Sequence, residues 1–451
     1  MKPEQQLDAW FTQHQQRLAR FAPVKIYGRI TGISGILLES SLPDARIGDL
    51  CQIEGKNNTL VLAEVVGFNP QHTLLSALGQ LDGIAQGARV TPLFLPHSIR
   101  VCDQLLGSVL DGFGRLIEGS IGAFALPGET ENVKPVLGDA PPPTARPRID
   151  TPLPTGMRAI DGLLTLGVGQ RVGIFAGAGC GKTTLLAELA RNTPCDVIVF
   201  GLIGERGREL REFLDHELDS ELRSRTVLLC ATSDRSSMER ARAAFTATAI
   251  AEAFRDRGKS VLLILDSLTR FARAQREIGL ALGEPPGRGG LPPSVYTLLP
   301  TLLERAGQTT TGAITALYSV LIEQDSMNDP VADEVRSLID GHIVLTRKLA
   351  ERGHYPAIDI LASLSRTMSN VVARQQISEA TAVRQLMAAW QQVEMLIRLG
   401  EYQPGNDSLT DAAVEAQDAI NGYLQQSMRA PSLFEQTCFQ LSEVSRYAPS
   451  R

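Results

Sequence analysis

The stretch Val172–Thr184, with the sequence VGIFAGAGCGKTT, determines how the rest of the chain is organised. Its apolar run ends in glycines, and a lysine and two hydroxyl residues follow. This order predicts a strand, a tight loop and the start of a helix. Small residues let such a loop curl with its N–H groups pointing inward, and the positive end of the helix dipole then faces a bound anion. We therefore predict a triphosphate site here, the alternative being an ordinary glycine-rich turn before a helix.

Within this loop the residue types suggest separate roles. Lys182 is expected to reach the β and γ phosphates, and Thr183 to bind Mg²⁺. Ala176 stands where the strict pattern has glycine, which is a mild substitution at a turn. Cys180 is interpreted as a small apolar filler. The nucleotide-binding residues predicted in the loop are Gly177, Ala178, Gly179, Cys180, Gly181, Lys182, Thr183 and Thr184.

Composition narrows the classes of protein that the chain can represent. A length of 451 residues suggests roughly three domains. The formal net charge of -6 lacks the basic footprint of a nucleic-acid-binding protein. The six cysteines form no C-x-x-C pair, as is typical of a reduced, cytoplasmic protein. The first residues, MKPE, do not resemble a signal peptide, and no apolar stretch approaches the ~18 residues of a membrane span.

The pattern of the chain predicts an α/β protein of three domains. Between Val24 and Pro96, short apolar runs alternate with turn residues, which predicts a small all-β barrel or sandwich. The proline-rich segment 134–154 is expected to be an extended connector. We place the domains at residues 1–97 (β-barrel-like), 98–370 (phosphate-loop domain, including the connector) and 371–451 (helical).

After the connector, strands and helices alternate, which predicts a doubly wound parallel sheet around the phosphate loop. Helices are expected over Glu205–Leu218 and Ser236–Arg257, the second with a capping box made by Ser236 and Glu239. Beyond about Asn370 only helical spacing remains, interrupted at Gly400–Ser408. The predicted strands are Arg171–Ala176, Asp196–Ile203, Thr226–Cys230, Val261–Leu265, Ala313–Val320 and His342–Leu345.

An amphipathic helix is predicted near the start of the chain. Its apolar face is interpreted as packing on its own domain, with contact to a membrane surface or to a partner as alternatives. The residues of that face are Leu7, Trp10, Phe11, Leu18 and Phe21.

Two carboxylates follow predicted strands beside the phosphate loop. Asp266 ends the apolar run that begins at Val261, where it could bind Mg²⁺ or instead cap the helix that starts at Ser267. Glu205 follows the second strand, where it could orient or deprotonate a water molecule or simply favour a helix N-terminus. For Glu205, spacing alone leaves both alternatives open.

Several longer motifs make the chain resemble the type III secretion system ATPases, which are related to the RecA-like catalytic β subunit of rotary ATP synthases. The similarity covers nearly the whole chain. Residues 233–235 and 333–337 look more like the virulence injectisome branch than the flagellar export branch. The motifs lie at residues 201–209, 231–235, 244–252, 266–277, 333–347 and 352–366.

The resemblance implies roles that spacing does not give. Glu205 matches the catalytic glutamate of the family, and Arg206 a phosphate-sensing arginine beside it. Arg366 matches an arginine finger that serves the adjacent subunit, and Tyr355 an aromatic residue that stacks on adenine. From the residues alone, Arg366 would be a surface ion-pair partner and Tyr355 a core residue. The Gly- and Pro-rich loop 283–293 matches a loop near a central pore.

The same resemblance implies a cytoplasmic homohexamer that binds ATP and Mg²⁺ and lies peripherally at the inner face of the bacterial inner membrane. Its N-terminal domain would serve oligomerisation. Hydrolysis at subunit interfaces would release exported proteins from chaperones and feed them to a membrane export gate, with central stalk and stator proteins as further partners. No nucleic-acid partner is expected.

Three alternatives remain at this stage. A flagellar export ATPase is the first. A nucleic-acid translocase of the termination-helicase type shares the core, but the acidic balance argues against it. A catalytically inactive ring subunit is the third, and the presence of both Lys182 and Glu205 argues against that alternative.

Overall fold

The computed structural model describes residues 26–449 apart from 57–58, 126–128, 130, 323–328 and 406, together with Trp10 and His14. The chain divides into two units, Met1–Pro96 and His97–Arg451. Most of the predicted N-terminal helix face falls outside the described residues, namely Leu7, Phe11, Leu18 and Phe21. Trp10 is helical and about half exposed.

The first unit contains an antiparallel barrel. In the described residues its strands close in the order β1-β2-β5-β4-β3-β6, with β6 paired back onto β1. Alternate side chains such as Leu38, Ile53 and Val65 fill the interior. The barrel interpretation is confirmed, and β3 adds a strand that the apolar runs did not predict. The strands are β1 (Gly28–Ser34), β2 (Leu37–Ser40), β3 (Asp49–Glu54), β4 (Leu60–Phe68), β5 (Thr73–Ala77) and β6 (Arg89–Pro96).

The second unit is built on a long mixed sheet, and each predicted strand is present within two residues at either end. Its strands beyond the barrel are β7 (Ser98–Arg100), β8 (Val109–Asp111), β9 (Leu116–Glu118), β10 (Val133–Pro135), β11 (Pro152–Leu153), β12 (Leu166–Gly167), β13 (Arg171–Ala176), β14 (Val197–Ile203), β15 (Thr226–Ala231), β16 (Ser260–Asp266), β17 (Gly307–Gln308), β18 (Ala313–Leu321), β19 (Gly341–Leu345) and β20 (Ile358–Ser365).

The order of strands in the sheet, within the described residues, is β20-β19-β13-β18-β16-β14-β15-β8-β9, with β17 paired to β18. The strands from β19 to β8 are parallel, which confirms the predicted parallel sheet. The edge strands β20 and β9 are antiparallel. Because the parallel strands end at one edge, the loops that follow β13, β14 and β16 come together there.

Helices cover the faces of the sheet and form the end of the chain. They are α1 (Arg158–Leu163), α2 (Lys182–Asn192), α3 (Gly207–Glu212), α4 (Ser220–Ser224), α5 (Ser237–Arg255), α6 (Leu268–Ala281), α7 (Pro293–Leu303), α8 (Pro330–Leu338), α9 (Arg347–Glu351), α10 (Met368–Val371), α11 (Arg374–Leu399), α12 (Ser408–Leu424) and α13 (Phe434–Ser445). None of the helices that the structure describes is long and apolar enough to cross a membrane.

Two local details differ from the predictions. The helix predicted over Glu205–Leu218 begins at Gly207 and changes to a π-helical turn at Phe213–Glu217. The Ser236 hydroxyl accepts the Glu239 N–H at 3.2 Å, as a cap should. The Glu239 side chain, however, is buried against Gly112, so it does not return to Ser236, and the reciprocal half of the capping box is not formed.

The C-terminal helices share one core with the nucleotide-binding sheet. Leu386 of α11, Ile420 of α12 and Leu441 of α13 belong to the same buried cluster as Ile174 of β13 and Leu186 of α2. The helical end of the chain is as predicted, but its packing continues into the central sheet. The boundary between residues 370 and 371 therefore stays a prediction.

A fully buried ion pair ties the connector to two helices. Arg305, which follows α7, has no exposed surface and donates to both carboxylate oxygens of Glu252 in α5, at 2.9 and 2.7 Å. A further N–H group donates to the carbonyl of Val136 in the connector at 2.7 Å. The guanidinium thus anchors the connector, which is mostly extended and contains one short 3-10 turn at Pro143–Ala145.

Replacing Arg305 with Ala should lower the free energy of unfolding by about 3 kcal/mol, the lower end of the range for breaking a buried ion pair. The buried Glu252 carboxylate would lose both hydrogen bonds from Arg305 but would keep the ammonium group of Lys134 at 3.4 Å. The matched control is Arg208→Ala, since Arg208 pairs with Glu212 at 2.9 Å but is 88% exposed. That change should cost less than about 1 kcal/mol. Thermal melts of both variants test the difference, and equal melting temperatures would contradict it.

Candidate active site

The predicted order of strand, loop and helix is present at the phosphate loop. β13 ends at Ala176, and α2 begins at Lys182. Gly179 and Gly181 have φ values of 81° and 80°, in the left-handed region that glycine adopts without strain. Cys180 is buried, as expected of a small filler, whereas Thr183 is exposed.

Lys182 lies between two carboxylates that follow neighbouring strands. Its ammonium group donates to Asp266 at the end of β16 and lies 4.0 Å from Glu205, which follows β14. β14 and β16 pair directly, so the sheet itself brings these acids together. Three of the residues predicted to carry the chemistry, Lys182, Glu205 and Asp266, are therefore adjacent in space.

Asp266 is almost completely buried, and Ser319 of β18 donates its hydroxyl to the carboxylate at 2.5 Å. The alternative role of Asp266 as a helix cap is wrong, because Ser267 caps α6 by accepting the N–H of Arg270. The carboxylate therefore remains directed at the phosphate loop.

Carboxylate and hydroxyl oxygens suit Mg²⁺, which uses few protein ligands and completes its shell with phosphates and water. Asp266 and Thr183 supply oxygens of these two kinds. No cluster of three or more metal-ligating side chains occurs in the described residues, so no cage made by the protein alone is found there. The donor set fits a cation that is bound together with a nucleotide.

Glu205 is largely buried, with 14% of its side chain exposed, and Arg270 of α6 donates to it at 3.3 Å. Burial and, to a smaller extent, the negative charge of Asp266 raise the pKa of Glu205 to about 7, against the opposing effect of Lys182. A carboxylate whose pKa lies near neutrality is suited to proton transfer. Burial also disfavours the alternative of a solvated residue at a helix start.

Arg206, the neighbour of Glu205, has a different environment. Its side chain is 77% exposed and pairs with Glu209 at 3.6 Å. The structure therefore does not bring this guanidinium together with Lys182 and Asp266. Its phosphate-sensing role stays a prediction.

Tyr355 lies beside the phosphate loop rather than in the core. A methyl group placed on Gly181 would come within 3.7 Å of its ring, and the ring is partly exposed. Tyr355 contributes to an apolar pocket next to the loop, where a purine base could stack. The pocket is also lined by Met157, Cys180, Thr184, Pro356, Gln426 and Met428.

Arg366 lies near the amino ends of the parallel strands, whereas the phosphate loop lies at their carboxyl ends. It directly follows β20, whose last residue, Ser365, pairs with Gly341 at the start of β19. Gly341 in turn pairs with Val172 at the start of β13, while the phosphate loop follows the end of β13. At roughly 3.3 Å per residue, the length of β13 places about 20 Å between Arg366 and the phosphate loop of the same chain.

Sequence reasoning missed several residues that shape this site. Arg270 and Ser319 support the two carboxylates, and Met157, Gln426 and Met428 line the apolar pocket. Arg270 lies four residues after Asp266, in the first turn of α6, which is a weak signal at best. No spacing rule identifies the others, because each contact crosses between distant segments.

Comparison with known proteins identifies the family of this chain. The chain is 64% identical over 444 residues to the type 3 secretion system ATPase of Pseudomonas syringae pv. tomato, covering 98% of this chain and 99% of that protein. The chain belongs to the type 3 secretion system ATPases. Members of this family hydrolyse ATP, and this chain is such an enzyme. The flagellum-specific ATP synthase of Bacillus subtilis is 43% identical over 425 residues, covering 93% and 95% of the two chains, so the secretion branch fits better than the flagellar one.

Family models match three consecutive parts of this secretion ATPase. Residues 30–93 match the β-barrel domain of the ATP synthase α/β family, and 156–365 match its nucleotide-binding domain. Residues 372–443 match the C-terminal domain of the T3SS ATPase EscN. The match confirms the predicted fold class.

Solved structures agree with this assignment. The assembled ATPase EscN of enteropathogenic E. coli superposes with a TM-score of 0.86 at 47% identity, covering 93% of this chain and all of that one. EscN in complex with its central stalk EscO gives a TM-score of 0.84 at 46% identity, with the same coverage.

Replacing Glu205 with Gln should lower kcat by ~10²–10⁴-fold while leaving the affinity for Mg-ATP near that of the wild type, because glutamine keeps the shape but cannot take a proton. Steady-state ATPase assays and nucleotide titration give the two quantities. Glu212→Gln is the control, since that side chain is 54% exposed and pairs only with a surface arginine, Arg208, in the described structure. Near-normal turnover of Glu205→Gln would assign Glu205 a structural role.

Proposed function

We propose that this secretion ATPase acts as a homohexameric ring and hydrolyses Mg-ATP at its subunit interfaces, where Arg366 of one subunit completes the site of the next. The observation that carries the proposal is the position of Arg366. It is exposed and lies about 20 Å from the phosphate loop of its own chain, at the opposite edge of the sheet. An arginine at this distance does not reach the phosphate loop of its own chain, which supports a role at the site of a neighbouring subunit.

The rest of the site supports this reading. Lys182 and Glu205 are buried together beside the phosphate loop, so each chain holds the groups that bind phosphate and act on water. Arg366 of the same chain lies too far from the phosphate loop to act there as an arginine finger. A guanidinium from a neighbour would neutralise charge on the transferring phosphoryl group. The related EscN was solved as an assembled ATPase, which agrees with a ring.

Mg²⁺ is expected to bind between the Thr183 hydroxyl, the Asp266 carboxylate and the phosphates of ATP. The cation would neutralise charge on the β and γ phosphates during transfer. Lys182 now pairs with Asp266 and is placed to move its ammonium group onto the phosphates. The apolar pocket around Tyr355 would hold the adenine base, while Arg206, now in solvent, would sense phosphate only after a change of side-chain conformation.

Hydrolysis would release exported proteins from their chaperones and feed them to a membrane export gate. We place the ring in the cytoplasm, peripheral to the inner face of the inner membrane, with central stalk and stator proteins as partners and the N-terminal domain as the part that serves oligomerisation. The complex of EscN with its stalk EscO supports a stalk partner. Met395 and Leu399, exposed at the end of α11, offer an apolar surface for such a contact, and the loop 283–293 would face the pore.

A mixing experiment tests the ring. Arg366→Ala and Lys182→Ala should each be nearly inactive, because the finger is worth ~10³–10⁵ in turnover and Lys182 binds the phosphates. The two variants, co-expressed with different affinity tags and isolated as mixed rings, should regain activity. A Lys182→Ala subunit still offers Arg366 to the intact site of an Arg366→Ala neighbour, and at random mixing about a quarter of the interfaces are complete.

Arg398→Ala is the control, because Arg398 is an exposed arginine on α11 that pairs with Glu394 of the same helix. It should retain wild-type turnover. Mass photometry confirms that each preparation is hexameric. Mixed hexamers that stay as inactive as the separate variants would show that Arg366 does not act across an interface.

A further inference from the structure

Gln170 is a buried residue to which neither the sequence patterns nor the family resemblance gave a role. It directly precedes β13, the strand that leads to the phosphate loop, and has no exposed surface. A buried side-chain amide needs partners for both its oxygen and its nitrogen. Those partners identify what Gln170 does.

Both ends of the amide contact the residues around Arg366. The oxygen accepts the Thr367 hydroxyl at 2.7 Å and the Gly167 N–H at 2.9 Å. The nitrogen donates to the Ser365 hydroxyl and to the carbonyl of Asp340, both at 3.2 Å. Ser365 and Thr367 are the two residues that flank Arg366 in the chain, so one amide holds the finger from both sides.

The surroundings make this contact rigid. The Arg366 N–H donates to the same Asp340 carbonyl at 3.0 Å. Arg171, the next residue after Gln170, donates to the Asp340 carboxylate through its backbone N–H at 3.0 Å and through two nitrogens of its guanidinium group, each at 3.1 Å. Gly341 packs so closely that a methyl group there would lie 3.0 Å from the Gln170 nitrogen. The backbone of Arg366 is therefore fixed, while its side chain remains exposed.

We propose that Gln170 is a positioning residue for Arg366 and acts, through that finger, on the active site of the neighbouring subunit. The inference rests on the proposed action of Arg366 across an interface. It also gives the two ends of β13 different roles. At one end Gln170 holds the finger that the subunit lends, and at the other Ala176 opens the phosphate loop that the subunit keeps.

Gln170→Met removes all the hydrogen bonds of the amide and nearly conserves its volume. Because a small displacement of a catalytic group can cost ~10²-fold in rate, kcat should fall by roughly 10–10²-fold. KM for Mg-ATP should stay within about twofold of the wild type, because the phosphate loop and the Tyr355 pocket are untouched. A variant with wild-type kcat would overturn the proposal.

Mixed rings locate the defect. In rings with Lys182→Ala, the Gln170→Met subunit keeps a sound site and receives a well-held finger from its neighbour, so activity should rise above that of either variant alone. In rings with Arg366→Ala, no subunit offers a well-held finger, so activity should not rise. The opposite pattern would show that Gln170 supports the phosphate loop of its own chain, which would overturn the proposal.

The control mixture of Arg366→Ala and Lys182→Ala separates the two levels of inference. If it shows no rescue, the action of Arg366 across the interface fails, and the role of Gln170 fails with it. If it shows rescue, the mixtures with Gln170→Met judge Gln170 alone.

Thr367→Val provides a second variant in case Gln170→Met does not fold, as judged by its melting temperature and by mass photometry. It removes a single hydroxyl from the finger side of the contact and leaves β13 unchanged. It should show the same rescue pattern with a smaller loss of kcat. Wild-type turnover of this variant, or rescue by Arg366→Ala instead of Lys182→Ala, would overturn the proposal.

Discussion

The site depends on one electrostatic arrangement, in which Lys182 lies between Asp266 and Glu205. Glu205 follows β14 and Asp266 ends β16. These adjacent parallel strands therefore hold both carboxylates in a largely buried environment. At an effective dielectric constant of about 20, a unit-charge pair 4 Å apart is worth about 4 kcal/mol, enough to keep the lysine between them. Burial and the charge of Asp266 nevertheless outweigh the lysine at Glu205, whose pKa is raised to about 7. The same packing that holds the acids together thus gives one of them the properties of a base.

The amino ends of the parallel strands carry a different group, Arg366. There, the antiparallel strand β20 brings Arg366 close to the start of β13, and a network around Gln170 and Asp340 fixes its backbone. A parallel strand has two chemically distinct ends, and this enzyme uses both. One end carries the site of the subunit, and the other carries the group that we propose it supplies to its neighbour.

The pocket beside the phosphate loop shows why the C-terminal helices share a core with the sheet. Gln426, which follows α12, donates its N–H to the carbonyl of Tyr355 at 2.9 Å, and its side-chain nitrogen donates to the carbonyl of Gly156 at 2.7 Å. The helical end of the chain is thereby joined to the residue proposed to stack on adenine. Movement of these helices would therefore change the shape of the pocket beside the phosphate loop.

The sequence by itself determined the elements and their order. Period-2 and period-3.6 patterns, the glycines of the phosphate loop and the carboxylates at strand ends depend on neighbouring residues, so they can be read along the chain. On that basis the barrel, the parallel sheet, the terminal helices and the closeness of Lys182, Asp266 and Glu205 were predicted and are found in the structure. Only the tertiary structure decided which end of the sheet carries Arg366, that Ser319 and Arg270 support the two acids, that Arg206 points into solvent, and that Gln170 contacts the two residues that flank Arg366. These contacts join residues 50 or more positions apart, and strand order in the sheet, which no local pattern encodes, determines which of them meet.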